Sequence, residues 1–197
     1  MNADSEARKL SYKADLEAVP AMFVDGKLTP ALGGARQRGK NSYGVAREHI
    51  DKAVEEPAGA AIKLDVSRKG DTVTARAEVS GLKEVGAHVR LRFALVEERV
   101  RYDGPNGVRL HQHLVRAFIG GADGFRLEKK TATQSASVIL PQLKKSLEAY
   151  LAGLAKKTGA RWPETPLELD RLKVVAFVED EDSKRVFQSA QADVPAK

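Results

Sequence analysis

From Ala61 onward, apolar side chains recur at every second position, and that period constrains the fold more than any other feature of the chain. Ile62, Leu64 and Val66 alternate with Lys63 and Asp65, Lys69-Gly70-Asp71 supplies a turn, and Val73, Ala75, Ala77 and Val79 alternate with Thr74, Arg76 and Glu78. Successive side chains of a strand point to opposite faces, so the pattern predicts an antiparallel hairpin with one face in water. A second pair is expected from Val89-Leu91-Phe93-Leu95 and, after the turn signal Asp103-Gly104-Pro105-Asn106-Gly107, from Val108 to Ile119. A strand around Ala136 to Leu140 follows. Pro141 then opens a helix, placed at residues 142–157, with Leu143, Leu147, Tyr150, Leu151 and Leu154 on one stripe. Leu172 to Val178 and Val186 to Val194 read as a closing hairpin about the acidic turn Glu179 to Ser183. Seven or so short strands with turns between them predict an antiparallel, immunoglobulin-like β-sandwich over residues 58–197, with one inserted helix.

The first 57 residues read differently. Ala3 to Glu17 are good helix formers; Met22-Phe23-Val24, Asp25-Gly26 and Leu28 to Leu32 predict a short hairpin; Asn41 or Ser42 caps a helix with Tyr43, Ala46, Ile50, Ala53 and Val54 on one face. This segment holds nine basic and nine acidic side chains, so the net charge of +6 arises wholly after it. The basic residues there are interleaved with Glu97, Glu98, Asp103 and the run Glu179-Asp180-Glu181-Asp182, which argues against nucleic-acid binding. The chain has no Cys, which excludes disulfides, zinc-thiolate sites and dithiol chemistry by its own residues. No apolar run approaches a membrane span, and Met1 to Glu6 lack the order of a signal peptide, so an export signal is expected only outside this sequence.

The segment Val19-Pro20-Ala21-Met22-Phe23-Val24-Asp25-Gly26-Lys27 resembles the distal half of a thioredoxin fold, a likeness covering about residues 1–57. The remainder, especially Ala94 to Glu98, His111 to Arg116 and Val174 to Val178, looks like the β-rich domain that follows a thioredoxin-like domain in some exported, outer-membrane-related bacterial proteins of poorly defined function. The resemblance implies an α+β chain, a cis-proline at Pro20, and a periplasmic or extracellular location. It also implies that the redox dithiol belongs to a proximal half that is missing here. A half thioredoxin sheet leaves an unpaired edge and an apolar face, so the hairpin must dock on the sandwich, pair with a second chain or stay partly mobile. A homodimer through residues 1–57 is the expectation, because self-association needs only a two-fold repeat of one patch.

Several residues are candidates for a site. Arg90, Arg92, Arg99, Arg101, Arg109 and Arg116 fall on the two strands expected to pair, and a shared face could gather guanidinium groups for a carboxylate, phosphate or sulfated glycan. Structural ion pairing with Glu97, Glu98 and Asp103 is the favoured reading of the same residues. His111 and His113 are spaced for one metal, with His88 as a third ligand across the ladder, yet half-exposed strand histidines explain them better. The acidic run could serve calcium but lacks a regular ligand spacing, and Trp162 reads as a linker anchor. No nucleophile elbow, phosphate loop or zinc-protease motif occurs, so no catalytic residue, metal or cofactor is assigned. The expected function is a non-enzymatic accessory or protein-interaction module. The rivals are a thiol-disulfide oxidoreductase or chaperone-like role, which requires the missing half, and anion or glycan binding by the arginine face.

Overall fold

A computed structural model describes residues 3–12, 21–29, 39–102, 109–159 and 167–196. Pro20, the turn 103–107 and Trp162 lie outside the described residues, and with them the cis-proline expectation. The elements run α1 (Ala3–Ser11), β1 (Met22–Val24), β2 (Lys27–Thr29), α2 (Gly39–Glu55), β3 (Ala61–Lys69), β4 (Thr72–Ser80), β5 (Gly86–Arg101), β6 (Leu110–Ile119), β7 (Phe125–Leu127), β8 (Ala132–Ile139), α3 (Leu140–Thr158), β9 (Leu172–Asp180) and β10 (Val186–Asp193).

Two sheets carry the core. One is ordered β3-β4-β8, the other β10-β9-β5-β6 with β7 paired to β5, and every pairing is antiparallel. The period-two alternation puts Val73, Ala75, Ala77 and Val79 of β4, Val89, Leu91, Phe93 and Leu95 of β5, and Val174, Ala176 and Val178 of β9 into one buried cluster, so the sheets face each other like a sandwich. Each large side chain so buried contributes about 1.5–3 kcal/mol. The opposite face of the smaller sheet is polar: Lys63, Glu78 and Thr133 form one row, Asp65, Arg76 and Ser135 the next, and Thr74 hydrogen-bonds Ser137 at 2.8 Å. In α3, Pro141 sits in the first turn and Gly159 ends the helix with φ 71°, its N–H donating to Ala155 O at 2.9 Å. Its expected stripe is the inward one, with Leu147 buried and Leu143, Tyr150, Leu151 and Leu154 half-buried.

The α+β class is corrected. Strands hold 48% of the described residues and helices 27%, distributed over three antiparallel sheets. The described residues within 1–57 do not show a thioredoxin-like segment: β1 and β2 make a separate two-stranded sheet of three residues each, and α2 contributes no buried residue. A helix closing a thioredoxin sheet would bury its apolar face, whereas Tyr43, Ile50 and Val54 are exposed. The described strands likewise do not establish the immunoglobulin-like arrangement, since β7 was not anticipated and the pairing follows the two orders above.

The hairpin has contacts within the chain, the intramolecular alternative to a homodimer, although Leu28 remains 42% exposed. Phe23 packs on Tyr12, just after α1, with tilted rings whose centroids lie 4.3 Å apart. The turn at Gly26 (φ 77°) presses on the β9–β10 turn so closely that an added Cβ would lie 1.8 Å from the Lys184 carbonyl oxygen. The link after α2 is fastened too, since Gly59 N–H donates to Phe187 O at 3.0 Å.

Candidate binding site at the N-terminal helix and the edge strand

The outer face of the larger sheet is where charge and apolar surface meet. Because β5 points Val89, Leu91 and Phe93 inward, it turns Arg90 and Arg92 outward, beside Glu179 of β9. Arg92 bonds Glu179 and, at 2.6 Å, Glu181; its Nε donates to Ala122 O at 2.7 Å. Arg90 donates to the other oxygen of Glu181 at 2.8 Å. Arg8 crosses from α1 and grips both oxygens of Glu179, at 2.5 and 2.6 Å, while its guanidinium lies 4.9 Å from the Tyr12 ring centroid and 5.5 Å from that of Phe177. Glu179 is 1% exposed and Arg92 5%, so these ions are paired because water is absent.

Sequence reasoning gathered Arg90 and Arg92 correctly and placed Arg116 with them. The structure separates it. Arg116 bonds Glu97 at 2.6 Å and is itself the extra residue of a bulge in β6, where Leu95 pairs with Ala117 and Val96 with Val115. All three arginines are engaged by carboxylates, but of the partners expected only Glu97 is among them; Arg90 takes Glu181, and Arg92 takes Glu179 and Glu181. Arg109 is exposed and offers its carbonyl to the Tyr102 N–H at 3.1 Å. The contribution of Arg8 was not legible, because a residue 171 positions from its partner leaves no local signal.

The histidines do not converge. His111 Nε2 lies 3.1 Å from Tyr102 O, and His113 is exposed with φ 51°. Val100 pairs with His111, so His88 stands twelve residues further along β5, ~40 Å away at strand rise. It contacts Asp180 instead, at 3.3 Å. Asp180 accepts from the N–H of Asp182 and from both N–H and hydroxyl of Ser183, closing the β9–β10 turn. Burial pushes the Asp180 carboxyl up, but those bonds and His88 outweigh it and hold it below the ordinary range. Glu181 behaves alike: burial raises it, and Arg90 and Arg92 bring it below its usual value. Among the described residues no group of three His, Asp or Glu side chains is placed to hold a metal.

Next to the ion cluster lies a groove of about 360 Å³ between α1 and β6. Tyr12, Phe23, Val115, Ala117 and Phe118 supply its apolar walls, with Asp4, Arg8 and Lys9 along the helix. Asp4 accepts the Phe118 N–H at 2.7 Å, which tethers the start of α1 to the strand. Among the described strands β6 pairs with β5 alone, and Leu110 (50%), Leu114 (38%) and Val115 (46%) remain exposed along it.

No family model matches the chain, and no curated protein matches it. Among solved structures, beta-glucosidase 3B from Thermotoga neapolitana in complex with glucose aligns at 11% identity and a TM-score of 0.29, over 71% of this chain and 16% of that one. The chain thus spans about a sixth of that enzyme's length, and a likeness of this grade bears on neither fold nor activity. No described helix is long and apolar enough to cross a membrane.

Proposed function

We propose that the chain is a protein-interaction module that recognises an extended segment of a partner by strand addition to β6. The observation that carries this reading is the exposure of Leu110, Leu114 and Val115 on a ten-residue strand whose only partner among the described strands is β5. Proteins commonly blunt such edges with charge or proline. Here Lys and Pro are absent from β6 itself, and the apolar residues lie where an added strand would cover them. Main-chain pairing would supply affinity and the flanking side chains selectivity. The two buried charge clusters serve to hold β5, β6 and β9 rigid beneath that edge.

The test is selection from a displayed library of ten-residue segments against the folded chain, followed by titration of the winners as free peptides. Segments with alternating apolar residues should be enriched, and the double substitution Leu114→Lys, Val115→Lys should weaken their binding at least tenfold while circular dichroism stays unchanged. Failure to enrich such segments, or binding that ignores the double substitution, would overturn the proposal.

A further inference from the structure

The geometry points to the groove between α1 and β6 as a site for a small organic monoanion with an aromatic or aliphatic body. This goes beyond strand addition, which uses the edge of β6 and needs no cavity. The volume, about 360 Å³, falls in the range of small-molecule pockets, and three aromatic rings wall it from separate parts of the chain: Tyr12 just after α1, Phe23 of β1 and Phe118 of β6. Such rings receive a flat or branched apolar group by edge and face contact.

The charge of the ligand follows from what the other charges are doing. Arg8 is bound to Glu179, Arg116 to Glu97, and Asp4 accepts the Phe118 amide. Lys9 alone among the lining charges has no hydrogen bond or ion pair on its side chain among the described residues. It is exposed at the rim, one position along the helix from the arginine that pins α1 down. An apolar body seated in the groove would therefore find one available cation at its edge. A cationic ligand would meet Lys9 with like charge, and the carboxylate of Asp4 is already occupied.

The two contributions differ in size. A solvent-exposed ion pair shifts affinity only about two- to fivefold, whereas removing the apolar walls should abolish binding. The probes are 3-phenylpropanoate and the uncharged 3-phenylpropanamide, titrated into isotopically labelled protein while amide chemical shifts are followed. Saturable shifts should concentrate on Lys9, Tyr12, Phe23 and residues 115–118, with the acid binding two- to fivefold tighter than the amide. Lys9→Gln should erase that preference and leave the amide's affinity unchanged. Val115→Asp, at a position already half in water, should remove the saturable shifts without altering the rest of the spectrum. Shifts scattered over the surface, or binding that survives Val115→Asp, would overturn the site; an amide that binds as well as the acid would overturn the ligand class. Should Val115→Asp disturb the fold, Ser5→Trp on the exposed side of α1 serves as the blocking variant, with the same two readings.

Discussion

Glu179 and Arg92 show what a buried charge can and cannot contribute. Removing both from water costs several kcal/mol each, and only close multiple bonding offsets it, which explains why Glu179 takes two arginines and Glu181 another contact from Arg92 as well as one from Arg90. The arrangement fixes α1 and the β9–β10 turn in place more than it adds net stability. It also creates a dependence on pH. The Glu181 and Asp180 carboxyls titrate below their ordinary values in the folded chain, so their contribution is complete above about pH 4.5 and is lost as the pH falls through their folded values. Asp25, raised by burial against a smaller lowering by Arg185, acts in the opposite sense. Urea midpoints measured from pH 7 to pH 2.5 should fall on the acid side, and Glu181→Gln should be less stable than the natural chain at pH 7 yet show a shallower acid loss. Parallel curves for the two proteins would show that Glu181 has no such part. At this scale the sequence revealed which arginines share a strand face, since that follows from parity. It could not reveal that Arg116 leaves the group, because a β-bulge changes parity locally without any composition cue.

Among the elements, the β1–β2 hairpin is held in place by contacts at two points. Three residues per strand are too few to stand alone in water. What keeps the hairpin in place is the Tyr12–Phe23 ring contact and the close approach of Gly26 to the Lys184 carbonyl. Gly70 provides an internal control, since it also has positive φ (59°) but no atom within 4 Å of an added Cβ. Alanine at either position incurs the conformational cost, about 1 kcal/mol; at Gly26 alone it also drives the two turns apart. Limited trypsin digestion should therefore cut Gly26→Ala at Lys27 faster than the natural chain, while Gly70→Ala is cut there at the natural rate. Equal rates at Lys27 in both variants would mean that contact with Lys184 does not hold the hairpin. The hairpin itself was legible from Asp25-Gly26 between two apolar runs, as were β3, β4, β9 and β10 from their alternation. Its setting was not. The thioredoxin expectation assumed a larger sheet for β1 and β2 to join, and the structure supplies instead a sandwich turn against which the hairpin rests.

At the scale of the whole chain, apolar burial and chain order are separated. The main cluster is drawn from β4, β5, β6, β7, β9 and β10, from Leu140 at the start of α3 and from Ala60 and Leu82 beside the strands, and no described residue before Ala60 enters it. The sequence foreshadowed this division through its change of period at Ala61, although it placed a second fold before it. What precedes Ala60 is attached to the sandwich by a few polar bonds and one ring contact: Arg8 to Glu179 and over the Phe177 ring, Asp4 to the Phe118 amide, the Gly59 amide to the Phe187 carbonyl, and Arg185 to Glu56 at 3.5 Å. The exposed pair Arg185–Glu56 that lies nearest α2 is worth about 1 kcal/mol or less, against about 1.5–3 kcal/mol for each large core side chain. Local opening should therefore begin at the N-terminal side. Helix α2, with no buried residue and its ion pairs Arg47–Asp51 and Lys52–Glu48 on the surface, should lose amide protection first, through an opening that leaves the sandwich intact. The amides of β4, β5 and β9 should exchange only through global unfolding. Native-state hydrogen exchange in a low-urea series measures both: α2 should show an opening free energy that barely changes with urea, and the central strands one that falls with the full slope of global unfolding. If α2 and β5 instead shared one free energy and one slope, the polar attachments would have to be far stronger than their geometry allows, and the chain would unfold as a single cooperative body from its first helix to its last strand.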